Sequence, residues 1–235
     1  MSVYQEQFEK YTNLTIRPYN SYMELVEEVK KVMVNYPENI KANAIVLFGF
    51  SGNGKSTWIS NFIKEYPNYT VVSMDAAGKR IRDRYGRDDT SPEIVEEFGN
   101  ELESVCRNGN NVIIDGNFLN LLTRSALADT LKTFGYQVNV VDITDNSLSI
   151  LKIRIMDVAS ERMGIKIDES NLRDYANNPE FQSIYEEIVN HYNMELASSN
   201  LNEQIMCNVK ELGVNNFFNR NTPYEEIVSI SQFHR

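Results

Sequence analysis

Residues 44–62, AIVLFGFSGNGKSTWISNF, place the tightest constraint on this chain. Ala44-Ile45-Val46-Leu47-Phe48 is an unbroken apolar run, the pattern of a strand buried on both faces of a parallel sheet. Gly49-Phe50-Ser51-Gly52-Asn53-Gly54-Lys55-Ser56 follows and fits G-x-x-x-x-G-K-[ST] at every fixed position. Trp58, Ile59, Phe62 and Ile63 then recur at helical spacing. Strand, glycine loop and helix together form the setting that a phosphate-binding loop requires. The glycines let the backbone turn so that successive N–H groups point inward, and the helix start adds unpaired N–H groups and a positive dipole end. The expected ligand is ATP with Mg²⁺. Gly49, Ser51, Gly52, Asn53, Gly54, Lys55, Ser56 and Thr57 are expected to hold the phosphates. Lys55 reaches the β- and γ-phosphates, and the Ser56 hydroxyl holds the metal. The loop does not specify where the γ-phosphate goes.

The chain has 235 residues, enough for one α/β domain with additions. Strands at 69–75, 111–115, 138–143 and near 214–218 alternate with helical patterns at 92–108, 121–134, 147–163 and 181–196. A further helix is expected from Pro223. This predicts a P-loop NTPase fold: a mostly parallel sheet, helices on both faces and a helical lid. Residues 44–235 are read as the nucleotide-binding domain, with the lid around 160–177. Residues 1–43 are read as an extension packed on it, with a short strand at Leu14-Thr15-Ile16 and a helix over 21–35 lying on the sheet edge. No apolar run approaches the ~18 residues that span a bilayer, and no membrane contact is expected. Only two cysteines, Cys106 and Cys207, are present, unclustered. With a polar N-terminus, they point to the cytoplasm. The net charge of −10 disfavours broad binding to polyanions. It leaves room for a nucleic-acid end in a local basic cleft. No protein partner is indicated.

In open parallel sheets, ligands sit at the carboxyl ends of the strands. Two acids end strands there. Asp75 is expected to orient or deprotonate an attacking hydroxyl, with helix capping as its structural alternative. Asp115 is expected to hold Mg²⁺. Lys79 and Arg80, in the most basic segment of an acidic chain, are candidates for an anionic group on the acceptor, with Arg82 and Arg84 read as surface residues. Asn117 and Arg124 are further substrate candidates. Arg154 and Arg162, on one helix leading into the lid, are candidates to neutralise charge on the phosphoryl group in transfer.

With these residues in place, the chain resembles the polynucleotide 5′-hydroxyl kinase group of P-loop phosphotransferases, and zeta-toxin-type kinases share the layout. The likeness spans about residues 44–195. It rests on GFSGNGKSTW, a strand ending in Asp75, the IIDGN segment and the arginine-bearing helix and lid. It implies a general-base aspartate, matched by Asp75, and an acceptor-binding arginine three residues later, where this chain has Gly78. It also implies a lid arginine, matched best by Arg162. The expected activity is transfer of the γ-phosphate of ATP to a hydroxyl, foremost a polynucleotide 5′-OH. The alternatives are a small-molecule or sugar-nucleotide kinase, and an ATP-binding switch or ATPase without an acceptor.

Overall fold

The computed structural model describes residues 1–16, 18–19, 21–35, 38–49, 52–86, 91–116, 118, 121–143, 148–190, 192–193 and 216–229. Five parallel strands form one sheet in the order β2-β3-β1-β4-β5. They are β1 (Ala42–Phe48), β2 (Tyr69–Ser73), β3 (Asn111–Asp115), β4 (Tyr136–Asp142) and β5 (Asn216–Asn219). Side chains alternate between faces with period two, so a doubly buried strand feeds two cores. In β1, Ala44, Val46 and Phe48 enter one cluster while Ile45 and Leu47 enter the other. The first cluster takes in Phe98 and Leu102 of α5 (Ser91–Arg107) and Leu127 and Leu131 of α6 (Leu121–Thr133). The second takes in Trp58, Ile59 and Phe62 of α3 (Lys55–Glu65) and Ile227 of α9 (Tyr224–Ser229).

The expected strand at 14–16 is absent. Leu14 ends α1 (Val3–Leu14), and Thr15 is its C-cap. This helix opens with a capping box in which the Gln5 amide donates to Ser2 Oγ and the Ser2 amide to Gln5 Oε1. Its buried face carries Tyr4 and Tyr11, and it packs on α5 and α6 rather than on the sheet. The helix expected at 21–35 is α2 (Tyr22–Val32), which adds Val26 and Val29 to the same core.

Beneath this layer lies a charged node. Asp129 on α6 is fully buried and accepts hydrogen bonds from Tyr11 Oη at 2.5 Å, Lys10 Nζ at 3.0 Å and the Val34 amide at 3.1 Å. Lys132, one turn on, donates to the Val34 carbonyl at 3.4 Å and lies 3.7 Å from the same carboxylate. Buried charges persist when they are paired and hydrogen-bonded in this way. The node fastens the first 34 residues to the sheet-covering layer.

After β4, α7 (Leu148–Met163), a short 3₁₀ turn (Leu172–Tyr175) and α8 (residues 179–190) gather around a third core containing Ile155, Met156, Ala159, Phe181, Ile184 and Ile188. The lid region therefore has its own interior. No described helix is long and apolar enough to cross a membrane.

Candidate active site

β1 delivers the chain to the glycine loop at the carboxyl edge of the sheet. Gly52 and Gly54 both have φ near +84°, where any L side chain is strained. Gly54 is the N-cap of α3 and brings no capping side chain, so the first-turn amides of α3 are left for a ligand. Lys55 is 8% exposed, and its Nζ donates to the Gly49 carbonyl at 2.9 Å. Asn53 is buried, and its side-chain amide donates to the Ile143 carbonyl at 3.3 Å, which ties the loop to the exit of β4. Ser51 lies outside the described residues.

A pocket of about 250 Å³ is lined by Gly52, Gly54, Lys55, Ser56, Thr57, Asp75 and Asp115. Three elements from separate parts of the sequence converge here: the loop after β1, the start of α4 (Met74–Tyr85) and the end of β3. Asp75 does not end a strand and does not cap its helix. β2 stops at Ser73, whose hydroxyl accepts from the Ala76 amide at 3.3 Å and so caps α4. The same hydroxyl donates to Asp115 Oδ2 at 3.3 Å. Ser73 thus sets both acids; sequence reasoning missed it, and a Ser at a strand–helix junction is the signal that would have found it. Asp75 is left in the first turn of α4, exposed, with no hydrogen bond among the described residues.

Asp115 has a carboxyl pushed above the ordinary carboxylate range, chiefly by burial. Lys55 pulls it back down, Asp75 pushes it up and the Ser73 hydroxyl lowers it. A pocket that lodges two carboxylates beside one ammonium suits a divalent cation carried with phosphate oxygens. Among the described residues no group of three or more His, Cys, Asp or Glu side chains gathers to hold a metal by itself. The donor set fits Mg²⁺ arriving with a nucleotide, with Ser56 and Asp115 as its protein side.

Helical phase sorts the basic residues of α4. At 100° per residue, Lys79 and Arg82 fall within about 40° of Asp75, while Arg80 lies about 140° away. Arg80 accordingly faces α5, bonding Glu97 Oε1 through Nε at 2.9 Å and Glu101 through Nη2. The expectation that Arg80 meets the acceptor is corrected on this ground: its guanidinium is already held by two carboxylates. Lys79 is exposed on the Asp75 side and makes no ion pair among the described residues. Arg82 is exposed, as its reading as a surface residue implied, and its side chain folds back along the helix. A Cβ placed on Gly78 would lie 3.4 Å from its Nη1.

The two arginines of α7 also separate. Arg154 rests on the loop, with its Cδ 3.3 Å from where a Cβ on Gly52 would be. Arg162 is eight residues further along, about 12 Å of helix, and is paired in a fork with Glu187 of α8 at 2.6 and 2.9 Å. In this arrangement Arg162 links α7 to α8, and Arg154 is the α7 arginine at the phosphate loop. Arg124 is 8% exposed, donates from Nη1 to the Phe118 carbonyl at 3.0 Å and stacks 5.2 Å from the Phe48 ring centre. It therefore braces the β3–α6 connection against the end of β1 and does not line the pocket. Asn117 lies outside the described residues. Arg220, just past β5, places Nη2 3.8 Å from where a Cβ on Gly54 would be. Nothing local in the sequence pointed to it, because β5 joins the sheet only through β4.

A parallel sheet with a glycine loop after its central strand and two acids at its carboxyl edge defines a P-loop NTPase-like domain. A family model described as an AAA domain matches residues 45–174, more than half of the chain, and the protein belongs to that family. No curated protein matches it. Among solved structures, the PezAT toxin–antitoxin system of Streptococcus pneumoniae is 20% identical, with a TM-score of 0.44 over 93% of this chain and 79% of that one. Shikimate kinase from Aquifex aeolicus is 18% identical, with a TM-score of 0.35 over 81% and 95%. The Pnkp1/Rnl/Hen1 complex is 24% identical, with a TM-score of 0.36 over 47% and 37%. At these identities and scores the likenesses bear on neither acceptor nor reaction.

Proposed function

We propose that the protein is an ATP-dependent kinase acting on a hydroxyl, with a polynucleotide 5′-OH as acceptor. One observation carries the reading: the Asp75 carboxylate, without a hydrogen-bond partner among the described residues, shares a pocket with Lys55, Ser56 and the metal-side Asp115. A kinase needs a group to receive the acceptor proton, and a free carboxylate beside the phosphate pocket supplies one. Asp75 would accept that proton as the acceptor oxygen bonds to the γ-phosphorus and the bond to the β–γ bridging oxygen breaks, leaving ADP. Lys55 and the first-turn amides of α3 would hold the phosphates in line. Arg154, leaning on Gly52, would add positive charge on the α7 side. Bound Mg²⁺ would neutralise charge on the phosphate oxygens. Lys79 and Arg82, on the Asp75 face of α4, favour an acceptor that itself bears phosphate, as a nucleic-acid end does. A sugar nucleotide shares that property and is the second reading.

The test is transfer from γ-labelled ATP to 5′-OH DNA, 5′-OH RNA, nucleosides and sugar nucleotides, with Lys55→Ala as the blank. Label on oligonucleotides supports the proposal, and label only on a small molecule moves the acceptor. Phosphate release with no acceptor labelled overturns the kinase reading.

A further inference from the structure

A second space in the described residues lies away from the phosphate loop. A cavity of about 390 Å³ opens between α7, the 3₁₀ turn and α8. Leu151 and Ile155 form its α7 wall, Leu172 the turn wall, and Phe181 and Tyr185, one helical turn apart, the α8 wall. The space opens to solvent past Arg173, Ala176 and Tyr185, and its volume falls within the roughly 300–1,000 Å³ typical of small-molecule sites. It interrupts a small core whose other members, such as Ala159 and Ile184, are packed almost completely.

Among the described residues Lys152 and Arg173 are the charged groups that line the cavity, and Glu186 lines the adjoining space that shares Ala176, Phe181 and Tyr185. Lys152 is paired with Glu169 at 2.8 Å. The Arg173 guanidinium is exposed and makes no hydrogen bond or ion pair among the described residues. With Lys152 neutralised by Glu169, Arg173 is the cation at the edge of this aromatic-walled cavity that is left to receive an anion. Aromatic side chains offer ring faces on which a planar ligand can stack. Arg154, the residue that rests on Gly52, stands between Leu151 and Ile155 along α7 and does not line the cavity.

We propose that this cavity is a second ligand site that binds a small aromatic anion: one planar ring system inserted between α7 and α8, and one anionic group at Arg173 with Lys152 beside it. The site is distinct from the phosphate loop and does not depend on the identity of the acceptor.

The probe is 8-anilino-1-naphthalenesulfonate, an aromatic anion whose fluorescence rises in apolar surroundings. Titrations would compare the full chain with Arg173→Glu, with Ala176→Trp, which fills the cavity from its rim, and with Lys55→Ala, while circular dichroism and thermal melting establish that each variant is folded. The expected result is one saturable site, weakened at least tenfold by R173E, lost in A176W and unchanged in K55A. Competition by a nucleoside monophosphate or by salicylate then separates the two sources of such an anion. No saturable signal, equal binding by R173E and A176W, or loss of binding in K55A would each overturn the proposal.

Discussion

Changing Tyr11 to phenylalanine removes one oxygen atom from a site with no room for water. Tyr11 and Asp129 are both fully buried, and their bond is 2.5 Å long. A hydrogen bond to a buried charge contributes about 1.5–3 kcal/mol, and the ring itself would still fill its place. The carboxylate would retain the Lys10 ammonium and the Val34 amide, so the loss should fall near the middle of that range, about 2 kcal/mol. For a chain of this size each kcal/mol lowers the melting temperature by about 2–4 °C, giving a drop of about 4–8 °C. Asp129→Ala should cost more, about 3–5 kcal/mol, because it leaves the Lys132 ammonium buried without its carboxylate; the Lys132 side chain is 1% exposed. The two changes share one bond, so the double variant should lose less than the sum of the singles. Urea unfolding and calorimetry on the four proteins provide the cycle. If Tyr11→Phe melted within 1 °C of the parent (a threshold far below the ~4 °C expected), or if the two losses simply added, the node would not be what fastens the first 34 residues, and α1 would be a detachable appendage.

Other outcomes can be measured alongside. Asp75→Ala should lower transfer to the acceptor by about a hundredfold or more, the usual scale for a lost general base; equilibrium dialysis should show ATP binding within about twofold of the parent, since Lys55 and the loop amides remain. Lys79→Ala and Arg82→Ala should each raise KM for a phosphate-bearing acceptor by about tenfold, roughly the worth of one charge-assisted contact, while Arg84→Ala, whose guanidinium reaches Glu97 at 3.4 Å on the α5 side, should not. Stability should fall as pH rises above about 9. Burial pushes the Cys106 thiol and the Tyr69 phenol each up to about 12, and Tyr4, Tyr11 and Tyr136 are also pushed up from their ordinary value. The folded state therefore keeps protons that the unfolded chain releases at about pH 8.5 for cysteine and about 10 for tyrosine. Urea midpoints between pH 7 and 11 that stay level would refute this.

Much of the sheet was legible because each signal was local. An apolar run such as Ala44–Phe48 reports a strand buried on both faces, and the following G-x-x-x-x-G-K-S spacing reports a turn that only glycine tolerates, at Gly52 and Gly54. β3 ends at Asp115 as its sequence implied. The helix α1 was missed although Ser2-x-x-Gln5 is a capping signature and Tyr4, Phe8 and Tyr11 keep helical spacing. Its buried face is tyrosine, which patterning by aliphatic residues undercounts, and the Tyr11 hydroxyl finds its partner, Asp129, far along the chain.

The sequence by itself determined the P-loop, the alternation of strands and helices from β1 onward and the acid that ends β3, because those depend on backbone conformations and periodicities within a few residues of one another. Which cations serve the site was decided only by tertiary structure. Arg80 was removed by Glu97 and Glu101 on α5, Arg162 was engaged by Glu187 on α8, and Arg124 was turned under Phe118. Arg154 and Arg220 reached the loop from elements about 100 and 165 residues downstream (a placement that follows from sheet order and not from local pattern). A charged side chain goes to the nearest opposite charge or carbonyl that folding brings within reach, and that neighbour is set by packing between elements rather than by the residues adjacent in the chain.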